Sequence, residues 1–468
     1  MFSYMRRGRD FYRQVVTLAA PIVLQNLITS TLAMADTFMV GLLGEAPMAA
    51  VTLANIPLFV IQLFIFGTQS GASVLHSQYW GRRDMDAINR VLGVSFWVAG
   101  IVSALVAAIL LICPVPFLSL FCNQPEVVEL GALYGRWAGL SFFFDSFVMM
   151  YIAAYRSMER PRLGMYILIV SMVVNTFLNW VLIFGKLGLP ALGVEGAAIA
   201  TLCARILEVI IVICHACTTR GFKLNVPLLL RPGKDMFVRF FRYGGPVVFN
   251  ETMWGLGTSV FPAIMGHMEN STEILAAFTI AGNVDKLCMV FSFGLGATAT
   301  IIIGREVGAG RTKEVRSVGM ALDTLACLCG AFVGVLLFLF ARFFAPAYVF
   351  PLFHMSAGAG SIATMMMVMQ SCIRPIRDFN SVNVVGVLRG GGDVKMATII
   401  DTTPLWLFAI PMAFLCGIVL RAGIFWVYLM MLMEQVVKVF FGLHRVRSDG
   451  WIKDLTRTDC DYDKEDLT

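Results

Sequence analysis

Charged residues are scarce in this chain. Asp, Glu, Lys and Arg make up 14% of its 468 residues, where soluble domains carry about 25%, and this excludes a water-soluble globular protein. Histidine is scarcer still: His76, His215, His267, His354 and His444 stand isolated, so neither metal-ligand spacing nor a histidine-based catalytic pattern is present. No polar stretch is long enough for a nucleotide-hydrolysing domain. Gly390-Gly-Gly392 follows an apolar run, where a glycine-dependent turn is a better reading than a phosphate loop. The eleven cysteines, Cys113, Cys203, Cys214, Cys327 and Cys416 among them, are scattered through apolar segments and read as small hydrophobes rather than disulfide partners. An enzyme and an ATP-driven pump are both disfavoured, and no cofactor is expected.

What is there is grease in long runs. Hydrophobic residues make up 58% of the chain and the mean hydropathy is +0.78, the composition of an integral membrane protein. Roughly twelve apolar stretches reach the ~20 residues needed to cross the hydrocarbon. They fall near 15–40, 47–75, 91–113, 130–153, 164–185, 191–217, 240–265, 273–300, 317–340, 356–387, 396–418 and 422–443. The expected architecture is therefore all-α, with twelve transmembrane helices in two pseudo-symmetric six-helix bundles: an N-lobe over 1–217, a cytoplasmic linker over 218–239, a C-lobe over 240–443 and a cytoplasmic tail over 444–468. Alternate loops, from Arg6/Arg7/Arg9 through Arg82/Arg83/Arg90, Arg156/Arg160/Arg162 and Arg220 to Arg242 and onward to the tail, hold roughly 27 of the 36 basic residues, and such loops stay in the cytoplasm. Both termini are expected there, in a multi-pass protein of the plasma membrane. The net charge of +6 belongs to that topology, and no nucleic-acid partner is expected.

The halves repeat. Pro21-Ile-Val-Leu-Gln-Asn26 returns as Pro246-Val-Val-Phe-Asn-Glu251, Ala49-Ala-Val-Thr-Leu-Ala54 as Ala276-Ala-Phe-Thr-Ile-Ala281, and Gly81-Arg82 as Gly304-Arg305. The near-constant offset is the signal, because apolar segments match singly by chance. Repeated bundles with a substrate path between them are a common plan of secondary transporters.

Ionisable residues inside the spans are costly and become site candidates. Several have structural readings: Arg205 and Glu208 can pair on one helix face, and Asp401, Glu434 and Lys438 lie near helix ends where they can reach water. Asp36 and Glu251 have no basic residue within a helical turn, and an unpaired acid there must bind a proton or a cation or cost about 2.5–3.5 kcal/mol. Asn175 and Asn179 share a helix face and Thr201 lies on the next span; with Asp36 they offer an oxygen set for Na⁺, or else plain helix-to-helix hydrogen bonds. Met149, Phe143 and Met366 come from Met- and Phe-rich clusters suited to an adaptable path for flat cations.

Ser70-Gly-Ala-Ser with Gln78-Tyr-Trp-Gly81, Asn175-Thr-Phe-Leu-Asn179 with Phe184-Gly185, Gly193-Val-Glu-Gly-Ala-Ala-Ile-Ala-Thr201 and Gly386-Val-Leu-Arg-Gly-Gly-Gly-Asp393 together resemble the multidrug and toxic compound extrusion (MATE) transporters, with features of both NorM-type and DinF-type members. The resemblance covers about residues 11 to 443. It implies a twelve-helix exporter, a monomer in membrane lipid, that exchanges small organic, often cationic and aromatic, substrates for inward Na⁺ or H⁺. It places Asp36 on the family's first-helix aspartate, Asn175 and Thr201 on its partners, and Asn179 where some members carry aspartate. Glu251 falls on the seventh-helix glutamate of NorM-type members and Asp378 on their tenth-helix aspartate. Arg374 stands where that subfamily has tyrosine, at a spacing that favours an ion pair with Asp378. A flippase for lipid-linked oligosaccharide or peptidoglycan precursor shares the repeated plan and is the alternative.

Overall fold

The computed structural model describes residues 2–219, 222–353 and 355–457; Arg220, His354 and residues 458–468 of the tail lie outside these. Among the described residues the main helices follow in order: α1 (Arg9–Gly41), α2 (Glu45–Arg82), α3 (Met85–Ile112), α4 (Pro125–Ser157), α5 (Arg162–Phe184), α6 (Gly193–Thr218), α7 (Gly245–Gly266), α8 (Ser271–Gly308), α9 (Thr312–Leu339), α10 (Ala357–Ser381), α11 (Val394–Pro404) and α12 (Ile424–Arg447). Among the described residues the β-type pairing is an isolated bridge between Gly392 and Ile452. Lipid offers backbone groups no partners, so a spanning segment must satisfy its own, and helices do this. Large apolar side chains such as Ile112 and Leu407, each 76% exposed, are what a lipid-facing surface requires.

Among the described residues ten helices are long and apolar enough to cross a membrane, counting α9 as far as Leu352 and α11 as far as Val419. The two others, α7 and α10, have 22 and 25 residues, about 33 and 38 Å at ~1.5 Å per residue. They are long enough; their charges, Glu251 on one and Arg374, Arg377 and Asp378 on the other, lower their hydropathy. At 38 residues each, α2 and α8 overrun the expected spans 47–75 and 273–300, because their polar ends continue the helix past the apolar stretch. Side-chain caps set two starts: Asp84 accepts from the Ala87 N–H at 2.9 Å and Ser356 from the Ala359 N–H at 3.1 Å, each replacing a missing backbone partner. Widened π-type turns continue α10 over Val382–Leu388 and α11 over Leu405–Ala409.

By packing, the chain divides into an N unit, Leu24–Val248, and a C unit, Met1–Val23 with Phe249–Thr468. The boundaries differ from those expected at 217 and 240, because the segment read as a linker is docked. Val226–Leu230 and Lys234–Tyr243 are helical, the Asn225 N–H donates to Asn89 Oδ1 at 3.0 Å, and Arg239 donates to the Tyr79 hydroxyl at 2.8 Å. Within the N unit α4 packs against α2, α3 and α6, and α5 against α6. Gly196 of α6 lies so close to α5 that a Cβ there would come within 2.7 Å of the Leu182 carbonyl oxygen, and this approach sets Asn175 and Asn179 beside Thr201. Within the C unit α10 plays the corresponding part, packing against α8, α9 and α12.

Candidate functional site

In the N unit the sequence-nominated polar residues come together. Asn179 Nδ2 donates to Asp36 Oδ1 at 2.6 Å and to Asn175 Oδ1 at 3.1 Å. Asn175 Nδ2 donates to Thr201 Oγ1 at 3.3 Å, and that hydroxyl donates to the Ala197 carbonyl at 3.0 Å. A hydrogen-bonded file thus runs from α1 through α5 to α6. Its inner members are buried, Asn175 and Asn179 at 1% exposure each, while Asp36 is half-buried. No ion-pair partner of Asp36 is found among the described residues; the charge that acts on it is Arg205, which is already held by two other acids. The amide N–H of Asn179 faces the carboxylate, and Asn179 Oδ1 is buried without a hydrogen-bond partner. This orientation serves a carboxyl group better than a Na⁺ ion, which needs the amide oxygens. Tyr134 of α4 is close enough to feel the charge of Asp36.

One helical turn beyond Thr201, Arg205 reaches Asp145 of α4 at 3.1 Å and Glu208 at 2.8 Å. The pair with Glu208 follows from sequence spacing; the bond to Asp145, across helices, does not. Two carboxylates share one guanidinium here, and Asp36 adds a third, so the N unit's polar interior carries an excess of acid.

The C unit is different. Glu251, expected to stand alone, is paired: Arg389 Nη1 lies 2.7 Å from its Oε1. Arg389 is 1% exposed, and the widened turns just before it, Val382–Leu388, bring it inward. The expectation of a free Glu251 is corrected accordingly. Asp378 is bound by Arg374 Nε at 2.9 Å, the ion pair that the four-residue spacing favours, so its place among the coupling residues is corrected to a structural pair. Arg374 also reaches Asp285 at 2.9 Å, and Arg377 reaches Asp285 at 2.7 Å; two arginines balance two aspartates. Lys438 lies 2.8 Å from Asp401 and pairs with Glu434. This cluster is internal, with Lys438 3% exposed, rather than reaching water as expected.

Of the residues nominated for the substrate path, Met149 and Phe143 of α4 are half-buried, Phe143 meeting Phe144 and Phe147 edge-on at 5.6 and 5.1 Å. Met366 is fully buried within the C unit's apolar cluster, so its place on a path is corrected to packing. Among the described residues no group of three His, Cys, Asp or Glu is disposed to hold a metal ion.

A repeated, all-helical membrane protein whose buried polar groups concentrate in a few inward files belongs to the transporter class. The MatE family model matches residues 21–181 and 246–415, once in each repeat, and the chain belongs to that family. It is 23% identical over 457 residues to the uncharacterized transporter YisQ of Bacillus subtilis, covering 96% of this chain and 97% of that one. It is 28% identical over 421 residues to a probable multidrug resistance protein NorM of Rhizobium meliloti, covering 87% and 86%. To the multidrug resistance protein PmpM of Pseudomonas aeruginosa it is 26% identical over 424 residues, covering 88% and 85%. Its fold matches that of the eukaryotic MATE transporter AtDTX14 with a TM-score of 0.83 at 18% identity, covering 96% and 98%. An MOP superfamily transporter from Pyrococcus furiosus matches with a TM-score of 0.83 at 19% identity, covering 97% and 98%.

Proposed function

We propose that this protein is a secondary multidrug exporter of the plasma membrane. It moves organic, chiefly cationic and aromatic, compounds outward by alternating access in exchange for an inward ion taken at Asp36. The observation that carries the reading is the half-buried Asp36, hydrogen-bonded to Asn179 at 2.6 Å and without a cation of its own among the described residues. A carboxyl so placed can hold a proton or release it and bind a cationic substrate instead, and a ligand moves a two-state equilibrium only through a difference in affinity for the two states. The Asn179 N–H, rather than its oxygen, faces Asp36, so the amide offers no ligand to a Na⁺ ion there, and H⁺ is the ion we assign. The multidrug-resistance names of NorM and PmpM relatives agree with the substrate class. The excess of acid in the cluster of Asp36, Asp145 and Glu208 around Arg205 argues against the alternative, since a pyrophosphate-linked lipid cargo calls for basic residues. The expected topology, termini in the cytoplasm, follows from the basic loops.

The test is ethidium efflux from proteoliposomes under an imposed pH or Na⁺ gradient, with wild type and Asp36→Asn. A pH gradient drives efflux by wild type, Na⁺ does not replace it, and Asp36→Asn loses it while melting like wild type. Equal efflux by both proteins would defeat the proposal.

A further inference from the structure

Asp323 lies on α9, about three turns from its start, and takes no part in the networks above. It is fully buried, as is Asn383 in the widened turns that continue α10. Asn383 Nδ2 donates to Asp323 Oδ2 at 2.8 Å. The other oxygen of each side chain, Asp323 Oδ1 and Asn383 Oδ1, is buried and has no hydrogen-bond partner. Around the pair is one apolar cluster that includes Met320, Leu322 and Ala326 of α9 and Val382, Val384 and Val387 opposite. Gly442 of α12 completes the enclosure: a Cβ there would come within 2.8 Å of Asn383 Oδ1.

Charged and titratable groups on the packed elements are engaged elsewhere or turned away. On α10, Arg374, Arg377 and Asp378 are committed to one another and to Asp285 of α8, and Lys286 of α8 is exposed. On α12, Lys438 and Glu434 pair together and His444 is exposed. Before α1, Arg7 donates to Ser317 and Tyr4 packs on the apolar cluster. On α9 itself Lys313, Glu314 and Arg316 lie about two turns or more toward the start, and Cys327 one turn beyond. Asn383 is the polar contact of Asp323 among the described residues. Every other buried acid of the C unit has a basic neighbour.

An isolated carboxylate in such surroundings neutralises rather than remain charged. A hard metal ion takes about six oxygens, whereas this enclosure offers those of one carboxyl and one amide. A proton needs one acceptor, and an amide is both donor and acceptor. We propose that Asp323 and Asn383 form a proton-binding site in the C unit: Asp323 is a carboxylic acid at neutral pH, its proton on Oδ1 shared with the amide oxygen of Asn383. With that proton the two unpartnered oxygens satisfy each other; without it both are stranded. No bond but O–H forms or breaks.

Occupancy is read without transport, so the proposal stands or falls independently of the exporter reading. The experiment is infrared spectroscopy of full-length protein carrying ¹³C-labelled aspartate, in lipid nanodiscs at neutral pH. The expected result is a carboxylic-acid carbonyl band in wild type whose intensity falls in Asp323→Asn by one group, and which moves to higher frequency in Asn383→Leu, where the acid loses its amide partner. Asp323→Leu serves in place of Asp323→Asn should the latter not fold. An unchanged carboxylic-acid region in the Asp323 variant, with carboxylate intensity lost instead, overturns the proposal. So does an unshifted band in Asn383→Leu.

Discussion

Removing Arg389 should damage this protein far more than its place in a glycine-rich turn suggests. Arg389 is 1% exposed and Glu251 8%, and their 2.7 Å contact joins positions 138 residues apart. Arg389→Gln leaves a carboxylate in a low-dielectric interior without its cation, which costs about 3–5 kcal/mol. For a unit of this size about 2–4 °C of melting temperature accompanies each kcal/mol, so the expected fall is roughly 6–20 °C, measured by size-exclusion survival of detergent-solubilised protein after heating. Glu251→Gln strands the guanidinium instead and should fall comparably. The pairwise replacement Glu251→Leu with Arg389→Met removes both charges together, and by the same physics it should recover most of the loss or exceed wild type by about 1–4 kcal/mol.

The reasoning is refuted if Arg389→Gln melts within about 1 °C of wild type, or if the double variant melts no higher than either single one.

Arg205→Gln should likewise lower stability by about 3–5 kcal/mol, because it leaves both Asp145 and Glu208 unmatched, while Asp145→Asn, which keeps the Arg205–Glu208 pair, should cost far less; thermal melting of the two compares them directly. Met366→Ala, at a fully buried position, should cost about 2–5 kcal/mol as a core cavity yet leave the range of exported dyes unchanged in efflux assays, and a narrowed range would return Met366 to the substrate path. Gly391→Ala should dislodge the tail: a Cβ at Gly391 would come within 2.3 Å of the Trp451 ring, which is fully buried, so the fluorescence should shift red and trypsin should cut faster at Lys453.

The helices were legible because a bilayer leaves the backbone little choice, and a run of apolar residues announces a span whatever its neighbours. Ion pairs within one helix were legible for a similar reason. Arg205 with Glu208 and Arg374 with Asp378 stand three and four residues apart, and those intervals always share a face. Pairs between helices were hidden. Asp145 with Arg205, Arg377 with Asp285 and Glu251 with Arg389 depend on how each helix is rotated about its axis, and apolar residues on nearly every side of a membrane helix leave that rotation unmarked. At Arg389 the phase itself changes, since the π-type turns over Val382–Leu388 carry more residues per turn than the α-helix before them. The docked residues 222–239 were hidden for another reason: their polar composition reads as a free connection, while Phe222 is buried at 2% exposure.

The sequence repeats, but its interior charges do not. Shifted by the offset that carries Pro21 to Pro246, Asp36 meets Phe261, which is 1% exposed in the C unit's apolar core, and Glu251 meets Asn26. The corresponding hubs have diverged in the same sense: α4 supplies the acid Asp145 to a guanidinium already shared with Glu208, whereas α10 supplies Arg374 and Arg377 to balance Asp378 and Asp285. A balanced network holds helices in place and has little remaining attraction for a cation, because each charge added to it must displace one already satisfied. An acid-rich file offers that attraction at no such cost. The cation handling proposed for Asp36 in the N unit follows from that difference, while the proton proposed for Asp323 falls on the one buried acid of the C unit that the balanced network leaves without a basic neighbour among the described residues.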